Sequence, residues 1–224
     1  MKVLGNPQVN NQIQIDRIKG VLQFKNEVQS FDEEYFARTL STNMRVLDIG
    51  GSLREKTELV QSRVNSLETL DINVFQDYPD IQMDLCEKME IPQNLRYDVI
   101  FCFSLLEHCY NPFNAAENLY SLLKPNSRIV GSVPFLFPHH CPEDLSYQDY
   151  FRFTKDSFTT LFPHARKIVV TPHRGRVGAG LNIISQRYKD ILEKRLGLIT
   201  RVINSIDQRR KPQQSSGFDF EIHN

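Results

Sequence analysis

Three acidic residues stand where apolar, strand-like runs end, and two glycines follow the first of them. The runs are Val46-Leu47-Asp48-Ile49-Gly50-Gly51-Ser52, Thr69-Leu70-Asp71-Ile72 and Gln82-Met83-Asp84-Leu85. Glycines let a backbone turn tightly and pass close under a ligand, and the start of a following helix offers unpaired N–H groups. A carboxylate at the tip of the next strand suits the two hydroxyls of a ribose. A fourth run, Tyr97-Asp98-Val99-Ile100-Phe101-Cys102-Phe103, leads into Ser104-Leu105-Leu106-Glu107-His108. Farther on, His139, His140, Asp149 and Arg152 fall within one segment. Histidine is the side chain best matched to proton abstraction near neutral pH, so His108, His139 and His140 are candidate bases. Asp149 is placed to orient such a histidine, and Arg152 to hold an anionic group. The same residues also have a purely structural reading, in which they pin a loop by internal hydrogen bonds. Three consecutive residues rarely face one ion, so His139-His140-Cys141 is not expected to bind a metal.

Positioning these groups requires strands that end side by side. From Met44 to about Val170 the chain alternates apolar β-like runs with helix-like stretches, the pattern of a parallel sheet with crossover helices. Strands are predicted at 45–49, 66–71, 81–83, 97–103, 128–133 and 167–171, and helices at 56–64 and 112–123. The second helix starts with Asn111 as cap and Pro112 at its first position, and it stops at Lys124-Pro125-Asn126. The expected organisation is an N-terminal helical cap over 1–43, closing on the ligand edge, and an α/β core over 44–181. An amphipathic helical segment over 182–211 and a disordered polar tail over 212–224 complete it. The amphipathic segment is expected to pack on its own domain or on a second copy in a homo-oligomer. Its basic residues make an anionic membrane surface the alternative.

The formal net charge is +0 and the pI about 7.0, so no global basic field draws the protein to nucleic acid. Hydrophobic content of 40% and charged content of 24% are those of an ordinary globular chain. Cys86, Cys102, Cys109 and Cys141 show no paired CxxC spacing, which points to reduced thiols and a cytoplasmic location. The first residues lack the long apolar stretch of a signal peptide, and no run elsewhere is long enough to span a bilayer. A dinucleotide oxidoreductase would want G-x-G-x-x-G after the first strand, which is absent.

The ordered set of strand ends, the Leu106-Glu107-His108 triplet and the Leu123-Lys124-Pro125 turn resemble the class I S-adenosylmethionine-dependent methyltransferases over residues 44–170. The chain departs from that family at Ser52-Leu53-Arg54, where the usual loop carries a third glycine. The resemblance implies a Rossmann-like, doubly wound, mostly parallel sheet with flanking helices, and S-adenosylmethionine as cofactor. Carried onto this chain, Asp48 would position the methionine moiety, with Gly50 and Gly51 passing beneath the cofactor. Asp71 would take the ribose hydroxyls and Asp84 the adenine amino group. Ile72 and Leu85 would flank the purine, with Phe103 and Ser104 at the end of the fourth strand. The series from Pro134-Phe135 through Asp149-Tyr150-Phe151-Arg152-Phe153-Thr154 is similar to a bacterial subgroup associated with cell-surface glycan or secondary-metabolite pathways. That implies O- or N-methylation of a small-molecule or glycan-type acceptor, with His140, His108, Asp149 and Arg152 on the acceptor side. A catalytically silent, cofactor-binding scaffold is the competing expectation.

Overall fold

The computed structural model describes residues 33–92, 94–141, 146–173, 179–180 and 215–224. The apolar runs pair as predicted. β1 (Arg45–Ile49) lies between β2 (Ser66–Asp71) and β4 (Tyr97–Phe103), parallel to both. β3 (Ile81–Gln82) extends β2, and β5 (Leu123–Pro134) continues from β4, again in parallel. β6 (Lys167–Pro172) and β7 (Gly217–His223) complete a seven-stranded sheet of order β3-β2-β1-β4-β5-β7-β6, with β7 antiparallel to both neighbours.

Both faces of the sheet are covered, because successive side chains along each strand point to opposite sides. Val46, Val99, Phe101 and Val130 face α1 (Glu33–Thr39) and Val60 of α2 (Thr57–Gln61). Leu47, Ile100, Cys102 and Ile129 face α3 (Pro112–Ser121) and α4 (Ser157–Leu161). Asn111 caps α3 by accepting the Asn114 N–H at 3.2 Å, with Pro112 at the first turn.

The described part of the N-terminal cap, α1, forms a layer on the sheet face rather than a cover over the strand ends. The Phe36 ring meets Phe101 edge-on at 5.5 Å, and the Tyr35 hydroxyl donates to Glu221 Oε1 of β7 at 3.1 Å. The predicted stop at Lys124-Pro125-Asn126 is also different. β5 begins at Leu123, and the turn is absorbed as an irregularity near its start, with Asn126 at φ 61°. Asn tolerates that left-handed conformation.

The largest correction concerns the C-terminus, expected to be a disordered tail over 212–224. Residues 217–223 form β7, which sits inside the sheet between β5 and β6. Phe218, Phe220 and Ile222 alternate onto the face covered by α4, where Phe220 meets Phe158 at 4.7 Å. On the other side Asp219 is buried against His173. The period-two pattern of Gly217-Phe218-Asp219-Phe220-Glu221-Ile222-His223 outweighs the polar composition before it. The predicted amphipathic helices over 182–211 and most of the N-terminal cap lie outside the described residues.

Candidate functional site

Strand order reverses beside β1, whose neighbours β2 and β4 lead away in opposite directions. In open α/β sheets, ligands sit outside the carboxyl ends of the strands at that point. The predicted acids and glycines converge there. Asp48 is buried at the end of β1, and its carboxylate accepts from the Ser52 N–H at 2.9 Å, the Ser52 hydroxyl at 2.6 Å and the Leu53 N–H at 3.2 Å. These bonds close the turn from within. Burial pushes the Asp48 carboxyl up to about 6, outweighing the three donors that act to lower it. Gly50 and Gly51 both have positive φ, 69° and 58°. A Cβ at Gly50 would lie 2.9 Å from Leu105 Cδ1, so the turn abuts the loop after β4. Within Ser52-Leu53-Arg54, the segment that departs from the family loop, Arg54 carries a positive φ of 53°.

Asp71 is buried at the end of β2, and the chain itself already supplies donors to both its oxygens. Oδ1 accepts from the Asn73 N–H at 2.8 Å and the Asn73 side-chain amide at 3.3 Å. Oδ2 accepts from the Tyr78 hydroxyl at 3.0 Å. Tyr78 hangs there from a tight backbone pairing with Phe75, and its hydroxyl lies 3.3 Å from a Cβ built on Gly51. Asp84 lies beyond β3, where it accepts the Cys86 N–H at 2.8 Å and lies near the Tyr110 hydroxyl at 3.5 Å. Ile72 is half-buried, whereas Leu85 is packed into the hydrophobic core. Phe103 and Ser104 are half-buried at the end of β4, with Ser104 at φ 50°.

The loop after β4 contributes Glu107 and His108 from a single 3-10 turn, Leu106–His108. Its backbone ties the later segment in place, because the Glu107 carbonyl accepts the Tyr150 and Phe151 N–H groups at 2.8 and 3.1 Å. That brings His140 onto the same spot. His140 Nε2 lies 3.6 Å from Glu107 Oε1, and His108 Nε2 lies 3.8 Å from it. The two imidazole rings meet edge-on at 5.1 Å. Asp149 accepts the His140 backbone N–H at 2.9 Å and stands 3.3 Å from His140 Nδ1. Arg152 clasps Asp149 with both terminal nitrogens and donates to the Phe151 and Pro138 carbonyls at 2.8 and 3.2 Å. Burial pushes the Asp149 carboxyl up, but Arg152 and the His140 N–H outweigh it and hold it at about 2. Burial lowers His108 below the usual histidine value despite the neighbouring Glu107. His139, in contrast, is exposed.

A family model described as a methyltransferase domain matches residues 25–165. The chain belongs to the class I S-adenosylmethionine-dependent methyltransferases. No curated protein matches it by sequence. Among solved structures it is similar to a chain of the complex between the Haloferax volcanii Trm112 methyltransferase activator and a methyltransferase. That match has 13% identity over 92% of this chain and 93% of that one, with TM-score 0.55. It is also similar to the [4+2]-cyclase SpnF, at 10% identity over 86% and 79%, with TM-score 0.51. A third match is Haemonchus contortus phosphoethanolamine N-methyltransferase 2 in complex with S-adenosyl-L-methionine. There the identity is 14%, the coverage 82% of this chain and 49% of that one, and the TM-score 0.48. The chain therefore spans about half the length of that enzyme. Likeness at these identities concerns the fold.

The cofactor of this methyltransferase is S-adenosylmethionine, and the residues at the sheet switch point fit such a ligand. Gly50 and Gly51 hold a left-handed turn pressed against Leu105, and buried acids, Asp48 and Asp71, stand at the ends of β1 and β2. Tyr78 and Asn73, which share Asp71, carried no sequence signal because they lie in a loop. Glu107 was visible in its triplet, but its complete burial was not. Arg152 points into its own loop, toward Asp149 and backbone carbonyls, rather than outward as a group waiting for an anion. Among the described residues no helix is long and apolar enough to cross a membrane.

Proposed function

We propose that this methyltransferase moves a methyl group onto an oxygen or nitrogen of a small-molecule or sugar-bearing acceptor by in-line displacement. The observation that carries the reading is the contact between the two halves of the site. The Gly50 turn abuts Leu105, so the loop bearing Glu107 and His108 starts directly beside the cradle. S-adenosylmethionine supplies an electrophilic methyl on sulfur, and the protein's task is alignment and proton management. Asp71 receives the ribose hydroxyls, sharing its oxygens with Asn73 and Tyr78. Asp84 meets the adenine edge, with Ile72 beside the purine, and Phe103 and Ser104 close the cofactor site at the end of β4. Asp48 keeps Gly50 and Gly51 in the left-handed turn that lets the backbone approach closely. On the acceptor side, His140 is held by Asp149, and Asp149 by Arg152. The His108–His140–Glu107 cluster is where a proton leaving the acceptor is received.

The test begins with binding. Calorimetric titration of S-adenosylmethionine and S-adenosylhomocysteine into wild type and Asp71→Ala should show binding that collapses in the variant. Absence of binding to the folded wild type would remove the reading. Once binding is established, a screen of hydroxylated and aminated acceptors should give S-adenosylhomocysteine release with at least one class. Binding without turnover across that screen would favour the silent scaffold.

A further inference from the structure

Glu107 is fully buried, and among the described residues neither of its carboxylate oxygens receives a hydrogen bond. A buried carboxylate without donors is costly, so its presence calls for a compensating cation. Among the described residues two imidazole nitrogens approach it, with the Arg152 guanidinium near enough to act on it electrostatically. The protonation of each ring can be read from its opposite side. His108 Nδ1 lies 2.9 Å from the Gln148 carbonyl oxygen, which can only accept. His140 Nδ1 lies 3.2 Å from the Pro138 carbonyl oxygen and 3.3 Å from the Asp149 carboxylate, both acceptors. Each Nδ1 is therefore the N–H nitrogen, and in the neutral ring each Nε2 presents a lone pair toward Glu107. Two lone pairs and a carboxylate oxygen thus meet, with one ligand atom from each residue lying within 4.8 Å of the others.

We propose that Glu107, His108 and His140 bind a divalent transition-metal ion, such as zinc, at the acceptor side of the site. Two imidazoles and one carboxylate form a donor set suited to zinc, iron(II) or cobalt(II) rather than magnesium or calcium. Zinc bonds of about 2.0–2.2 Å place neighbouring donor atoms roughly 3–4 Å apart, and the two contacts to Glu107 Oε1, at 3.6 and 3.8 Å, fall in that range. The outer contacts are those that metal-bound histidines use. Each ring donates its other N–H to a carbonyl or carboxylate, which fixes tautomer and orientation. Three protein ligands leave open positions, so an acceptor hydroxyl bound there would lose its proton more readily. In that state the histidines act as ligands, and the metal replaces them as the activator of the acceptor. This chemical role rests on the methyl-transfer reading, whereas metal binding itself does not.

The test uses full-length protein stripped with chelator, titrated with Co2+ and Zn2+ in the absence of S-adenosylmethionine. One equivalent of Co2+ should bind with a visible absorption band, displaced by Zn2+. Glu107→Gln and His140→Asn should each weaken binding by about 100-fold or more, and His164→Asn, an exposed histidine elsewhere, should not. A footprint on the wild type makes the test independent of variant folding. Zn2+ should protect His108 and His140 from diethyl pyrocarbonate, read by mass spectrometry. Absence of saturable binding, equal binding by both ligand variants when folded, or modification of His108 and His140 unaffected by Zn2+ would overturn the proposal. The compensating cation would then be a proton. Cofactor titration in parallel keeps the two readings separate, since loss of metal binding leaves S-adenosylmethionine binding untouched.

Discussion

The Tyr78 hydroxyl donates to Asp71 Oδ2 at 3.0 Å, on the carboxylate expected to receive the ribose hydroxyls. On the proposed placement of the ribose, cofactor and tyrosine compete for one oxygen. Tyr78→Phe removes the competitor while keeping the ring, and a typical intramolecular hydrogen bond contributes about 0.5–1.5 kcal/mol net. S-adenosylhomocysteine should bind the variant about 3- to 10-fold more tightly, read by calorimetry, since tenfold corresponds to about 1.4 kcal/mol. Weaker binding would mean that Tyr78 forms part of the ribose pocket instead of guarding it.

Gly131 of β5 lies under the Phe220 ring. A Cβ there would come within 2.2 Å of the Cys102 carbonyl oxygen and 2.5 Å of Phe220 Cζ. Neither the sheet backbone nor a ring packed on Phe158 yields easily, so overpacking is the mechanism. Gly131→Ala should destabilise the fold by about 2–3 kcal/mol, seen as a lowered urea midpoint with unchanged slope. A change below about 0.5 kcal/mol would show that β5 and β7 can part locally.

The same strand marks the limit of what the sequence reveals. β1, β2 and β4 are legible because each is a compact run rich in apolar residues, closed by Gly50-Gly51, by Asp71 and by Ser104 respectively. β7 carries an equally regular alternation in Phe218, Phe220 and Ile222, but it follows a polar stretch and pairs with strands remote in sequence. Composition masks it, and only long-range pairing gives it a place. On the acceptor side the residue types of His140 and Asp149 announced a partnership that the geometry contains. The direction of Arg152, the burial of Glu107 and the reach of Tyr78 are tertiary facts, set by how loops fold back over β4 and β2.

Asp48 gives the fold a pH dependence of definite sign. Its carboxyl is raised by burial from 3.8 to about 6, so between those values the folded state binds a proton more readily than the unfolded chain. Stability from this group is therefore highest in acid, falls as pH rises through that window and levels off above about 6. The shift corresponds to about 3 kcal/mol in full, of which about 2 kcal/mol lies between pH 4.5 and 7. Asp48→Asn lacks the titration. The stability of wild type relative to Asp48→Asn, from urea curves, should drop by about that amount between the two pH values. A constant difference would show that Asp48 ionises as easily folded as unfolded.

Arg152 is a positioning residue whose removal should loosen one loop and spare the rest. Its guanidinium grips both oxygens of Asp149 and the Pro138 carbonyl, and Asp149 in turn holds the His140 backbone N–H at 2.9 Å. Lysine keeps the charge but cannot reproduce the planar fork, so Arg152→Lys tests geometry rather than electrostatics. The Asp149 carboxylate is buried and only the Arg152 side chain is partly exposed, but lysine keeps a cation beside it, so global stability should change by less than about 1 kcal/mol. Local order should not survive so well, because the His140 amide loses a fixed acceptor. Hydrogen exchange followed by mass spectrometry should show peptides containing His140 exchanging about tenfold faster, with peptides from β1 and β4 unchanged. Uniform acceleration across the sheet would instead make Arg152 a determinant of the whole fold. No change at His140 would mean that the backbone bonds from Tyr150 and Phe151 to Glu107 hold the segment by themselves.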